Sequence, residues 1–261
     1  HAGRGTGRGR GGRGQGRGRG GFRGGSRGSQ PRQTEANVVP QESLDDTLPS
    51  AVLAMPLGHH PDLRDRLSAF TQSLLSSDPA IPGLDESIVV SPRRLHITLG
   101  VMSLTDTSPV SSSVAPPRTV ESALALLAQL RPRIMDILNG EELRVALQRA
   151  DIMRPERGDL EKAHVMWVGP PHEGEDAARL KHLHCTVLNT TYRRPRPLAR
   201  QPFSYAAALS STAFRSVEQP HAISDNTTRG RQPIPVNFGE WTVDEIQICK
   251  MGSWGPEGEY V

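Results

Sequence analysis

Apolar residues recur along this chain in two rhythms, one of strand period and one of helical period, and their alternation outlines an α+β domain. Ser50–Leu57 (SAVLAMPL) is a near-continuous apolar run of strand length. Pro61 then opens a helical pattern in which Leu63, Leu67, Phe70 and Leu74 fall on one face. A loop leads through Ser87–Val90 to a strand at roughly Arg94–Leu104, and Thr105–Pro117 is a Ser/Pro-rich connection. A second helix is predicted from about Arg118, with Val120, Leu124, Leu127 and Leu130 as its apolar stripe. Pro132 restarts it through Ile134 and Leu138, and Asn139-Gly140 stops it. Strands are predicted at Leu143–Ala150, Ala163–Val168 and Leu183–Asn189, and helical character at Phe203–Phe214. A closing strand, Val243–Met251, sets Ile246 and Ile248 on one face.

The first 32 residues have neither rhythm. They hold nine arginines, no acidic residue and, in Phe22, a single bulky apolar side chain, spaced by Gly-Arg and Gly-Gly-Arg repeats. Such a segment cannot bury enough surface to offset its conformational entropy, so residues 1–32 are expected to be a disordered tail, 33–47 a linker, and 48–261 the folded domain. The tail also distorts the charge balance. It supplies nine of the 31 Lys and Arg residues, so the remainder is acidic, with 22 basic against 28 acidic residues. Arginine neutralises phosphate and stacks on bases, and glycine lets the backbone follow a flexible strand. Arg4, Arg8, Arg10, Arg13, Arg17, Arg19, Arg23 and Arg27 are therefore expected to bind RNA with little sequence preference.

No apolar run approaches 18 residues, so no membrane helix is expected, and the charged, glycine-rich N-terminus does not read as a signal peptide. Cys185 and Cys249 both sit in apolar, strand-like stretches and are expected to be reduced and buried. An intracellular protein, in the nucleus or cytoplasm, is the expectation.

Two of the strands share a pattern that carries chemistry. Leu95-His96-Ile97-Thr98-Leu99 and Leu183-His184-Cys185-Thr186-Val187 both read apolar, His, apolar, Thr, apolar. Side chains alternate faces along a strand, so each His and its Thr point one way while the apolar flanks point into a core. With nine histidines in the chain a single H-x-T is unremarkable, but two with matching flanks are not. Side by side, the strands would offer two imidazoles and two hydroxyls to one groove. One neutral imidazole could take a proton from an attacking hydroxyl while the other, protonated, gives one to the leaving oxygen. Thr98 and Thr186 would hold the phosphate oxygens. That equipment suffices for phosphodiester cleavage without a metal, and the pattern does not say which His is acid and which base.

Further segments carry a resemblance. Pro56–Phe70 (PLGHHPDLRDRLSAF), Ser91–Leu104 (SPRRLHITLGVMSL), Leu183–Arg194 (LHCTVLNTTYRR) and Cys249–Ser253 (CKMGS) resemble, in order, the A-kinase anchor protein 7-like phosphoesterase domain of the two-histidine (2H) phosphoesterase superfamily. That superfamily includes RNA 2′,5′-ligase-like proteins and cyclic phosphodiesterases. Within it the likeness is strongest to the phosphoesterase half of the activating signal cointegrator 1 complex subunit 1 group. The resemblance covers about Ser50 to Val261. It implies a bilobal fold of two pseudo-repeat lobes, each of mixed sheet plus helices and each supplying one H-x-T strand to a central groove. By this match His96 and His184 are the catalytic positions and Thr98 and Thr186 the phosphate-binding ones. It also implies a long helix before the second motif strand, where this chain has only Pro170–His182, so the second lobe is expected to lack one helix. A parallel crossover over so short a span would leave sheet surface uncovered or displace the strand.

Other candidates are weaker. Arg94, Tyr192, Arg193 and Arg194 flank the motifs and could contact substrate, the arginines through phosphate and the tyrosine by stacking on a base. His182 and His184 have a spacing that zinc sites use, but a third ligand is missing unless His59, His60 or His164 supplies it, so no metal or other cofactor is expected. The resulting expectation is a monomeric, RNA-directed phosphodiesterase or cyclic phosphodiesterase acting on RNA ends or 2′,5′-linked oligonucleotides. The alternative is a non-catalytic nuclear adaptor that binds RNA or joins a cointegrator-like complex.

Overall fold

The computed structural model describes residues 51–104, 118–171, 182–218, 233–256 and 258–259. Contacts group the chain into His1–Leu44 and Asp45–Val261, and the described residues all belong to the second unit. The expected arginine-rich tail and linker, the Thr105–Pro117 loop and most of the shortened Pro170–His182 connection lie outside the described residues.

Strand β1 (Ala51–Pro56) is followed by helix α1 (Pro61–Leu75) and strand β2 (His96–Met102). Helix α2 (Val120–Leu138) precedes β3 (Leu143–Ala146), β4 (Arg149–Ile152), β5 (Val165–Gly169) and β6 (Cys185–Asn189). Two short helices, α3 (Tyr205–Ser210) and α4 (Thr212–Val217), lead to β7 (Ile234–Pro235), β8 (Glu240–Val243) and β9 (Gln247–Lys250). The strands form three sheets in the orders β2-β1-β9, β3-β8 and β6-β5-β4-β7. One motif strand lies at the edge of each larger sheet.

Every pairing between these strands is antiparallel, so the second motif strand joins its neighbour β5 without a parallel crossover. β5 and β6 are antiparallel neighbours, and such a pair needs no crossover helix to join it. β6 is accordingly not displaced: Cys185, Val187 and Leu188 are buried in the core.

That core is continuous across both motif sheets. It takes Leu57 from beside β1, Leu95 and Ile97 from the first motif, and Cys185, Val187 and Leu188 from the second. Helix α1 contributes Leu63, Leu67, Phe70 and Leu74, as its spacing predicts, and Pro61 starts it with its preset φ. The Phe70 ring meets Phe214 and Phe238 edge-on, with centroids 5.5 and 5.2 Å apart. Burying each such side chain contributes about 1.5–3 kcal/mol.

Four predicted elements differ, one of them the closing strand Val243–Met251, in which Val243 ends β8, Ile246 lies outside the strands and Gln247–Lys250 forms β9. The run Leu143–Ala150 breaks at Leu147-Gln148, where the chain passes from the β3-β8 sheet to the β4 sheet. The Phe203–Phe214 segment breaks at Ser211, whose hydroxyl accepts from Phe214 N and caps α4. Helix α2 forms as predicted, with a Thr119/Ser122 capping box and a left-handed Asn139 at its end, but it buries none of its residues. Leu124 is 53% and Ile137 75% exposed.

Leu67→Ala is expected to cost about 2–5 kcal/mol in urea unfolding, because it opens a cavity in the shared core. Leu124→Ala on α2 should stay within about 0.5 kcal/mol of the parent.

Candidate active site

The two motif strands repeat one local geometry. In β2, Thr98 faces Ala54 and Gly100 faces Leu53, so Leu99 has no partner on β1. In β6, Thr186 faces Trp167 and Leu188 faces Met166, so Val187 is likewise the extra residue. Each H-x-T is thus followed directly by a β-bulge, a device that locally re-aims a strand. The bulge also corrects the expectation that all apolar flanks enter the core. Leu95 and Ile97 do, but Leu99 is exposed. Val101 beyond it emerges on the face shared with its partner Val52.

His96, Thr98, His184 and Thr186 are each half-buried, and the residue between the His and the Thr of each motif, Ile97 or Cys185, is fully buried. His184 itself lies one residue before β6 begins, not within the strand as predicted. Gly169 accounts for its close seating: a Cβ there would lie 2.8 Å from the Leu183 carbonyl oxygen. The Trp167 ring packs beside the His184 imidazole, centroids 5.8 Å apart.

The two imidazoles are held alike. His96 Nδ1 lies 2.7 Å from the Arg94 carbonyl oxygen, and His184 Nδ1 lies 3.0 Å from that of His182. A carbonyl can only accept, so each Nδ1 carries the hydrogen and donates it. In the neutral ring the basic nitrogen is then Nε2 on both. β2 packs beside β6, and Val90 N donates to Val187 O at 2.9 Å, stitching the approach of the first motif to the second strand.

The rings are close enough to sense each other. Burial holds His96 below the ordinary 6.5, its carbonyl bond opposes that, and charge on His184 lowers it further. Burial also lowers His184, again against its carbonyl bond. Both rings therefore favour the neutral form, and a proton on one disfavours a proton on the other.

A cleft of about 380 Å³ opens on the His96 side. Ala54, Gln247 and Cys249 lie on its floor, while Arg64, Arg93, Glu245 and Glu259 line it with both signs of charge. The sequence pattern had singled out none of these but Cys249, since they matter only through the pairing of β9 with β1. Gln247 Nε2 donates to Glu245 Oε1 at 2.7 Å, and burial raises the Cys249 thiol.

The flanking candidates separate. Arg94 stacks on Trp254 and Tyr192, its guanidinium carbon 4.3 and 5.5 Å from the ring centroids. Arg193 is not a groove residue. Its guanidinium is buried against Asp85 and donates to the Gly83 carbonyl at 2.6 Å, so it anchors the 83–85 loop and is unavailable to substrate. Arg194 is exposed, its backbone N–H donating to Ser87 Oγ at 2.9 Å. The histidines of the metal reading lie apart. His59 faces Asp244, His60 bonds the Thr242 carbonyl and His164 bonds Thr190. Among the described residues, no three or more His, Cys, Asp or Glu side chains gather into a possible metal site.

Two like-built strands with convergent imidazoles, in an α+β domain of antiparallel sheets, coincide with one family pattern. Residues 49–261 match the model of the AKAP7 2′5′ RNA ligase-like domain. The chain belongs to that family. No curated protein matches the chain. Membership is consistent with the 2H phosphoesterase superfamily, and the AKAP7-like match begins near the start of β1 and runs through both H-x-T segments.

NMR titration is expected to show both imidazoles with pKa values below 6.5. Because the unfolded chain takes up these protons at higher pH than the folded one, stability should fall as pH drops from about 6.5 through the folded values. Replacing both histidines by glutamine should flatten that fall in unfolding curves measured between pH 7 and 5.

Proposed function

We propose that this chain is a 2H phosphodiesterase acting on RNA ends, either cyclic phosphates or 2′,5′-linked termini, with no metal in the chemical step. The observation that supports it is the pairing of His96 with His184. Both are fixed through Nδ1 with basic Nε2 atoms, and each opposes the other's protonation. A pair that holds one proton between its members has the protonation state that acid–base cleavage requires.

The roles follow from the environments. Burial lowers both rings and charge on His184 lowers His96 further, so in this proposal His96 is the base and His184 the acid. His96 Nε2 takes the proton from water, or from a neighbouring ribose hydroxyl, as that oxygen bonds to phosphorus. The phosphorus–oxygen bond on the opposite side breaks, and His184 Nε2–H protonates the departing oxygen. Thr98 and Thr186 donate to the non-bridging oxygens, where negative charge builds up. The buried neighbours Ile97 and Cys185, together with Trp167, limit water around the pair.

Incubation with 2′,5′-, 3′,5′- and cyclic-phosphate oligonucleotides in excess chelator should release a defined product. His96→Ala and His184→Ala should each lower kcat about 10²- to 10⁴-fold while leaving RNA binding in place. Binding without turnover by the parent protein would replace this reading with that of a non-catalytic adaptor.

The arginine-rich tail extends the proposal to tethering. Nine arginines in 32 residues would hold RNA near the groove through phosphate contacts. Deleting residues 1–32 is expected to weaken RNA affinity and flatten its salt dependence. Unchanged affinity and slope, measured by fluorescence anisotropy across a salt series, would remove the tail from the account.

A further inference from the structure

We propose that Arg94 is a positioning residue, whose guanidinium, packed over the Trp254 and Tyr192 rings, fixes the carbonyl that locks the His96 ring in one tautomer. Its importance for turnover rests on the phosphodiesterase reading above; its effect on the ring does not.

Arg94 ends the tight turn Pro92–Arg94, with its N–H donating to the Ser91 carbonyl at 2.9 Å. Its own carbonyl takes the His96 Nδ1 hydrogen at 2.7 Å. Below this turn the backbone of Gly58 packs so closely that a Cβ there would collide with the Pro92 and Arg93 carbonyls. Above it, the side chain leaves the turn and lies flat on two rings. Trp254, 4.3 Å away, belongs to the segment after β9, and Tyr192, 5.5 Å away, ends the turn that follows β6. A single cation therefore joins the approach to the first motif, the end of the second and the C-terminal segment.

The arginine Nε is buried and meets no hydrogen-bond acceptor. Ring faces hold this group where oxygen does not, an arrangement that suits a planar, weakly hydrated guanidinium and not an ammonium. Among the described residues, no arginine is seen packed over rings in this way beside the second motif. The His182 carbonyl that holds His184 belongs to an exposed residue. The brace thus serves the ring assigned as base, whose function depends on Nε2 being unprotonated and Nδ1 being occupied. With its guanidinium engaged by two protein rings, Arg94 in this proposal acts through its backbone carbonyl, not as a phosphate contact.

The test combines nitrogen-15 NMR of the His96 ring with steady-state kinetics on whichever oligonucleotide the parent cleaves. In Arg94→Ala the single Nδ1–H tautomer should give way to a mixture, and kcat should fall about tenfold with KM changed less than about twofold. Arg94→Lys and Trp254→Ala should behave alike, whereas Trp254→Phe, which keeps a ring, should retain the parent tautomer and most of the rate. A rise confined to KM would make Arg94 a substrate contact and overturn the proposal. So would an unchanged tautomer, even with lowered thermal stability. If the parent cleaves nothing, the proposed function fails, and the tautomer measurement still decides the role of Arg94.

Discussion

Each motif strand gives one of its faces to the same core, and the placement of every polar group in the groove depends on that sharing. Leu95 and Ile97 from one strand and Cys185, Val187 and Leu188 from the other lie in a single apolar cluster. At about 1.5–3 kcal/mol for each large side chain, burial fixes register far more strongly than any preference of an imidazole or hydroxyl. A slip of one residue would carry His96 and Thr98 inward and Ile97 out to water. His96 and His184 stay out of the core because their neighbours Ile97 and Cys185 fill it. The bulges after Thr98 and Thr186 then let both strands leave this arrangement in the same way.

Bringing two basic rings together has an electrostatic consequence that a single buried histidine would not have. Desolvation disfavours the cation on each, and proximity disfavours it on both at once. The carbonyl bonds work against desolvation and also settle which nitrogen faces away from the backbone. The fold thereby restricts the pair to a few states: neutral rings with defined tautomers, or one proton held between them. The neighbouring cleft has a different character, with Ala54 and Cys249 from a small buried apolar cluster lining it beside charges of both signs.

How much of this was legible in the chain depended on distance along it. Helix α1 was readable because Leu63, Leu67, Phe70 and Leu74 repeat locally, and the H-x-T strands because alternation is local too. Helix α2 shows the limit of that method. Its stripe is as regular as that of α1, yet nothing in a periodic pattern says whether another element reaches it, and here its leucines stay exposed. The break at Leu147-Gln148 was hidden for a related reason. Two strands in different sheets continue one apolar run, and their partners Glu240–Val243 and Val165–Gly169 lie far from each other in sequence. The antiparallel pairing of β5 with β6 is not legible locally, because a short connection by itself does not say whether the strands it joins run parallel or antiparallel.

The three arginines beside the motifs make the same point for charge. In sequence Arg94, Arg193 and Arg194 are equivalent, each basic and each near an H-x-T strand. Their surroundings make them chemically different. Arg193 is 8% exposed and faces Asp85, 108 residues away in the chain, so removing one partner would strand a buried charge at a cost of about 3–5 kcal/mol. Arg194, next to it, keeps its charge in water, where a similar pair would contribute about 1 kcal/mol or less. Arg94 packs over two aromatic rings and leaves its buried Nε without an acceptor. Composition counts three positive charges here; the fold turns one into an anchor, one into a solvated group and one into a brace. What a charged residue does near a site is therefore decided by what removes its water, and for two of these arginines that is supplied by residues far away in the sequence.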